Sequence, residues 1–498
     1  MVTPRRLLPP VLGGLGIAAL ASPEVASAHG IVGKADLPIP VWLFSWTAAI
    51  VLVVSFVALS TLWMAPQLQS EHRKRLFVMP AALAHLASLA GLALFALVLY
   101  SGFDGTQVWS ANFDPTFIYV IFWVGFPLAS VIFGDIFRAF SPWRSFARAI
   151  RRIGGKLAPR AFAKAPLRYP EWLGMWPAVA AIVGFAWMEL VYIFPDRDQP
   201  STLAALSLAY FVAMLAGMAL FGVEEWSGRA DGFGAYFNLL SRMSVLCQGE
   251  RPRARQHPGV DSDGQTLGQD EHGVVYSRRP LSGLPDMPIR AGTIGLVCAV
   301  IGTTTFDGFS NGGIWRTNEP SLQGLVADLG FNQTPALELT YSVGLVLCVL
   351  LVAGIYRLGI VGVHSVSTRF DMPELSRTFA HTLVPIGFAY VLAHYFSLFI
   401  WQGQAIGYLA SDPLGNGANY LGTSAYQIDY TIISYAAIWY VQVAALIAGH
   451  VGGLALAHDR ALSIYPNQEQ AIRSQYWMLA VMVAFTSFGL WLLSAVGT

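Results

Sequence analysis

Residues Leu76 to Tyr100 read LFVMPAALAHLASLAGLALFALVLY and include no Asp, Glu, Lys or Arg. His72-Arg73-Lys74-Arg75 stands directly before them, and Asp104 follows shortly after. At about 1.5 Å per residue, a helix of this length crosses the roughly 30 Å hydrocarbon core of a bilayer. A helix that is apolar all round is stable in lipid or inside a large core, not on a wet surface. Comparable blocks, uncharged or nearly so, recur at Val41–Met64, Thr116–Gly134, Trp172–Phe194, Leu203–Gly222, Ala291–Phe309, Leu339–Gly362, Phe379–Trp401, Thr431–Ala457 and Trp477–Val496. Window hydropathy therefore gives about ten spans. The pattern predicts an all-α fold, a polytopic transmembrane helical bundle.

Composition excludes the soluble classes. The chain is 55% hydrophobic and 12% charged, against about 25% charged in a soluble globule. Its mean hydropathy is +0.53. A formal net charge of +1 cannot compensate for a phosphate backbone, so nucleic acid is not an expected partner. Cys247, Cys298 and Cys348 lie far apart, two in apolar blocks and one in a basic loop. That arrangement indicates neither a disulfide framework nor a zinc cluster.

The polar segments alternate in sign. His72 to Arg75, the stretch from Arg138 to Arg168, and the loop holding Arg229, Arg242, Arg251, Arg253, Arg255, Arg278 and Arg279 are basic. Asp104, Asp114, Asp196, Asp198, Glu319, Asp328, Asp412 and Asp429 fall in the others. The positive-inside rule places the basic loops in the cytoplasm and the mature N-terminus outside. Arg5 and Arg6, the apolar run Val11 to Ala21, and Ala26-Ser27-Ala28 before His29 have the form of a cleavable signal peptide. The expected organisation is a signal at 1–28, spans one to five within 29–222, a cytoplasmic loop at 223–290 and spans six to ten within 291–498. The expected location is the inner (plasma) membrane. In the loop, Trp226 to Leu246 is expected to lie as an amphipathic helix on the inner leaflet. Gln248 to Pro285, rich in Gly, Pro, Asp and Arg, reads as irregular.

Polar residues inside apolar blocks carry the functional signal. An ionised side chain near the bilayer centre costs about 2.5–3.5 kcal/mol on insertion scales, so such groups turn inward and find partners. Glu189, Asp307, His381, His394, Gln442 and His450 are the exceptions, with His85 in the second block and His458-Asp459-Arg460 at the end of the ninth. Counted along the helices, Glu189, Asp307 and His394 share a level roughly 20–25 Å from the cytoplasmic side, and His450 lies about 12 Å deeper than Gln442. Two carboxylates and imidazoles from separate helices suit a divalent metal ion of unspecified identity. The expected ligands are Glu189, Asp307, His394 and His450. Cleavage before His29 would add an outside α-amine and imidazole pair, which copper(II) favours. Each residue also has a plain structural reading: headgroup water for the acids, backbone carbonyls for the histidines, and helix–helix bonding for Gln442.

Several segments carry a resemblance. His29-Gly30-Ile31 with Asp36-Leu37-Pro38-Ile39-Pro40, Phe140-Ser141-Pro142-Trp143-Arg144, Trp187-Met188-Glu189-Leu190-Val191-Tyr192, Thr305-Phe306-Asp307-Gly308, Leu383 to Tyr395, and Ala448-Gly449-His450 through His458-Asp459-Arg460 resemble the integral membrane fenitrothion hydrolases. The likeness runs over nearly the whole chain. It implies a membrane-embedded organophosphate hydrolase that releases a nitrophenol from a lipophilic triester. Glu189 and Asp307 would be the catalytic carboxylates beside a metal-activated water. The implied partners are a lipophilic small molecule and membrane lipid, with a second membrane subunit or a homo-oligomer left open. Two other classes stand beside it. One is a protein that handles or transports copper. The other is a haem-b carrier using His381 and His394 with His450 and His458, although 394 − 381 = 13 residues turns two imidazoles about 140° apart.

Overall fold

The computed structural model describes residues 41–69, 72–162, 164–193, 199–249, 273–366 and 369–495. The expected signal peptide and His29 lie outside them. The described chain is mostly helical. Its longer elements are α1 (Val41–Leu62), β1 (Lys74–Val78), α2 (Ala81–Asp104), α3 (Phe113–Phe133), α4 (Pro142–Leu157), α5 (Trp176–Leu190), α6 (Pro200–Phe221), α7 (Gly232–Ser241), β2 (Leu246–Gln248), β3 (Val274–Ser277), α8 (Thr293–Ser310), α9 (Gly313–Ala327), α10 (Gln333–His364), α11 (Leu383–Gln402), α12 (Tyr435–Ile464) and α13 (Gln468–Ala495). Among the described residues nine helices are long and apolar enough to cross a membrane: α1, α2, α3, α6, α8, α10, the helix around α11, α12 and α13. The chain is a multi-pass membrane protein. The fourth expected block forms only α5, of 15 residues. It starts late because Gly174, at φ +47°, brings its backbone against the Ala291 carbonyl, where a Cβ would stand 2.2 Å from the oxygen. Met175 then donates to that same carbonyl.

Helix α8 is central and α2 peripheral: 78% of the α8 apolar window is buried, against 11% for α2. Helices α11 and α12 make the tightest pair. Gly449 permits this, since a Cβ there would stand 2.3 Å from Ala389 and 2.7 Å from the Pro385 carbonyl oxygen. Asp459, near the C-terminal end of α12, accepts hydrogen bonds from the Trp63 indole (2.9 Å), the Gln67 and Leu68 backbone amides and the Gln69 side chain (2.7 Å). It pins the segment after α1 to the bundle.

Two local expectations change. The second span begins at Ala81 rather than Leu76, because Lys74–Val78 pairs with β3 in an antiparallel sheet of order β1-β3-β2. Pro80 enforces the break, since the residue before a proline is held extended. Helix α7 does not lie on a leaflet. Phe233, Tyr236, Phe237 and Leu240 are buried in an aromatic cluster with Phe122, Trp123, Phe126 and Phe137. Asp231 caps α7 through Gly234 and also accepts from Trp143 (2.6 Å) and Tyr210 (2.9 Å). Burial pushes its carboxyl up to about 6, against the pull of those donors.

Near α7, Glu224 binds Arg138 (3.1 Å), Arg144 (3.0 Å) and Arg148 (2.7 Å). Burial opposes its charge, but the Arg144 and Arg148 guanidiniums outweigh it and bring the carboxyl down to about 2. A depressed carboxylate adds stability above its unfolded value of about 4.5 and loses it as pH falls toward the folded value. Glu224→Gln is therefore expected to destabilise the protein at pH 7 by up to about 1 kcal/mol, since the side chain is 51% exposed and solvent screens it. The gap between the melting curves of variant and parent should close as pH falls from about 4.5 towards 2.

Candidate functional site

Helix α8 carries three consecutive threonines whose hydroxyls bond back to its own carbonyls: Thr303 and Thr304 to Val300, and Thr305 to Ile301. That internal satisfaction lets a polar run enter an apolar core. One turn on, Asp307 is fully buried. Two neighbours on α11 reach one of its oxygens: His394 Nε2 lies 2.8 Å from Oδ2, and the Tyr395 hydroxyl donates to Oδ2 over 2.9 Å. Asn311 Nδ2 donates to Oδ1 (3.3 Å) and to the Asp307 carbonyl (2.9 Å). An ionised Asp307 fixes the proton of His394 on Nε2 and leaves a lone pair on Nδ1. His394 lines a cavity of about 20 Å³ together with Thr304, Thr305, Gly308, Tyr390 and Leu446. That is room for one water.

Other polar groups stand around this pair. Glu189, half-buried on α5, is near enough to Tyr395 to act on it electrostatically, and the Trp123 indole also approaches that hydroxyl. Trp123 belongs to a π-helical stretch, Phe117–Gly125, inside α3. Such wide turns often occur at functional sites. The structure therefore brings Asp307, His394 and Tyr395 into direct contact with Glu189 beside them.

His450 stands apart. Its Nδ1 donates to the Leu446 carbonyl over 2.8 Å, and its buried Nε2 has no hydrogen-bond partner among the described residues. Its ring lies 6.1 Å from Tyr390 and 6.1 Å from Phe485. Tyr390 and Leu446, its two neighbours, also line the cavity that His394 lines. His458, one of the haem candidates, has both nitrogens engaged: Nε2 donates to the Trp63 carbonyl and Nδ1 faces Gln475 Nε2.

The expected metal ligands do not converge as a set. Among the described residues no group of three or more His, Cys, Asp or Glu is placed to hold a metal ion. Asp307 and His394 are spent on each other, and a catalytic zinc-type site needs about three protein donors. The contact between Asp307 and His394 orients the imidazole, and His29, the other expected ligand, lies outside the described residues. Tyr395, Tyr390 and Asn311 were not marked by hydropathy, because a tyrosine or a helix-end asparagine interrupts no apolar block. The i, i+1 pairing of His394 with Tyr395 was the available clue. No family model, no curated protein and no solved structure matches this chain.

Proposed function

We propose that the protein is a membrane-embedded hydrolase of lipophilic organophosphate triesters, working through the Asp307–His394 pair. The observation that carries the reading is the Asp307 carboxylate on one nitrogen of His394, with the ring lining a water-sized cavity inside the bundle. The substrate class comes from the likeness of the quoted segments to fenitrothion hydrolases. His394 Nδ1 takes a proton from a water held in the cavity, and the resulting hydroxide attacks phosphorus. The P–O bond to the nitrophenyl group breaks and nitrophenolate leaves without a strong acid. Asp307 holds the ring in one tautomer and stabilises the imidazolium as it forms. Tyr395, on the same carboxylate oxygen, keeps Asp307 from turning away. A neutral triester partitions into lipid, and a site within the bundle receives it from there.

The accompanying topology is ten spans with α5 as the fourth, a removed signal peptide, an outside mature N-terminus and residence in the inner membrane. The alternation of basic and acidic loops supports that orientation. The test is release of nitrophenolate from a chromogenic triester by membranes holding the full chain, with no ion gradient imposed. Turnover above that of membranes lacking the protein is expected, and it should fall about 10²–10⁴-fold with His394→Ala. Turnover equal in both would remove the proposal.

A further inference from the structure

From Ile136 to Pro170 the chain contains arginines and lysines but neither Asp nor Glu. Nearly half of that segment is α4. Phe146, Ile150, Ile153 and Leu157 are 40%, 44%, 60% and 80% exposed. Spaced by four, three and four, they form one line along the helix. Trp143 and Ala147 are buried against the bundle beside that line. At about 100° per residue, Arg148, Arg151, Arg152 and Lys156 point to the other side, and all four are exposed.

Among the described residues the acid bonded to this helix is Glu224, shared by Arg144 and Arg148 and by Arg138 just before the helix. Even with Asp135, which also acts on Arg138 and Arg144, two carboxylates face the six cations Arg138, Arg144, Arg148, Arg151, Arg152 and Lys156 and leave positive charge over. Arg144 is buried, and its Nε has no hydrogen-bond partner among the described residues. An apolar stripe bare on the outside of a membrane bundle rests in acyl chains. Cations on the opposite face of the same helix then stand at the level of lipid phosphates.

We propose that α4 is an interfacial helix that seats anionic phospholipid, with Arg151, Arg152 and Lys156 on the headgroup and Phe146, Ile150, Ile153 and Leu157 against the acyl chains. Charge complementarity names the occupant. A zwitterionic headgroup brings its own cation and gains little from this face, whereas a net-negative one gains a steep attraction. Arg151 also donates weakly to the Phe162 carbonyl (3.4 Å), which leaves the rest of its guanidinium for the lipid.

The test uses the purified full chain in nanodiscs of phosphatidylcholine alone or with phosphatidylglycerol, reading co-purified lipid by mass spectrometry. Phosphatidylglycerol should be enriched over phosphatidylcholine, and each cation removed should weaken it about five-fold. The variant Arg151→Gln/Arg152→Gln/Lys156→Gln should lose about 100-fold by the same arithmetic, with phosphatidylcholine unchanged. Enrichment around the unaltered protein should also fall as salt rises, which tests the proposal even if the triple variant fails to fold. Equal retention of both lipids, enrichment indifferent to salt, or full displacement by inorganic phosphate would overturn it, the last by showing a free-anion site.

Discussion

Asp307→Asn is expected to cost about 10²–10⁴-fold in triester turnover while leaving the protein folded. The carboxamide is nearly the same size and still meets the Tyr395 hydroxyl. It cannot carry the negative charge that steadies an imidazolium. Its amide N–H also donates towards His394 Nε2, which drives the ring proton to Nδ1 and removes the lone pair from the cavity. The two effects act on the same step, so the variant should lose kcat with little change in KM. Elution as a single species in detergent separates this outcome from misfolding. His394→Gly should fall equally far and regain part of its rate with added imidazole. An Asp307→Asn protein with unaltered kcat, or an His394→Gly protein indifferent to imidazole at every concentration, would show that the pair is only structural.

The second large effect concerns stability. Asp459→Ala should destabilise the fold by about 3–5 kcal/mol. The carboxylate is fully buried and takes four donors from one short segment after α1. Hydrogen bonds to a charged group contribute about 1.5–3 kcal/mol each, and the buried Leu68 amide would be left with nothing to bond. Trp63, Gln67 and Gln69 recover part of their loss from water, so the sum falls short of four full bonds. Asp459→Asn keeps an acceptor oxygen and should fall between the two. Denaturant melts of the solubilised protein measure it, and parental stability in the alanine variant would show that the latch contributes little.

The spans were legible because lipid imposes one rule on every residue that faces it. Asp307 and His394 were legible for the same reason: each breaks an apolar block at a cost that only a partner offsets. The partner was not legible in full. Counting residues along a helix gives depth at about 1.5 Å each but not the face. Of the three residues expected at one level, Asp307 and His394 touch, and Glu189 is near enough to Tyr395 to act on it. His450 was assigned to the same ion on depth, whereas its ring faces Tyr390 and Phe485. The sheet was hidden because Leu76, Phe77 and Val78 prolong an apolar run right up to Pro80. Helix α7 was misplaced because its flanking polar residues suggested a wet face, when Asp231 serves as a cap with three side-chain or backbone donors around it.

The short α5 has a consequence for water. Its 15 residues span only about 22 Å at helical rise, less than the roughly 30 Å of an average hydrocarbon slab. A span that falls short is accommodated by thinning of the bilayer beside it or by polar groups drawn inward. Glu189 is the next-to-last residue of that helix. A local dimple in the leaflet over Glu189 and Tyr395 would carry bulk solvent part of the way to Asp307, so hydration of the buried pair should respond to lipid chain length.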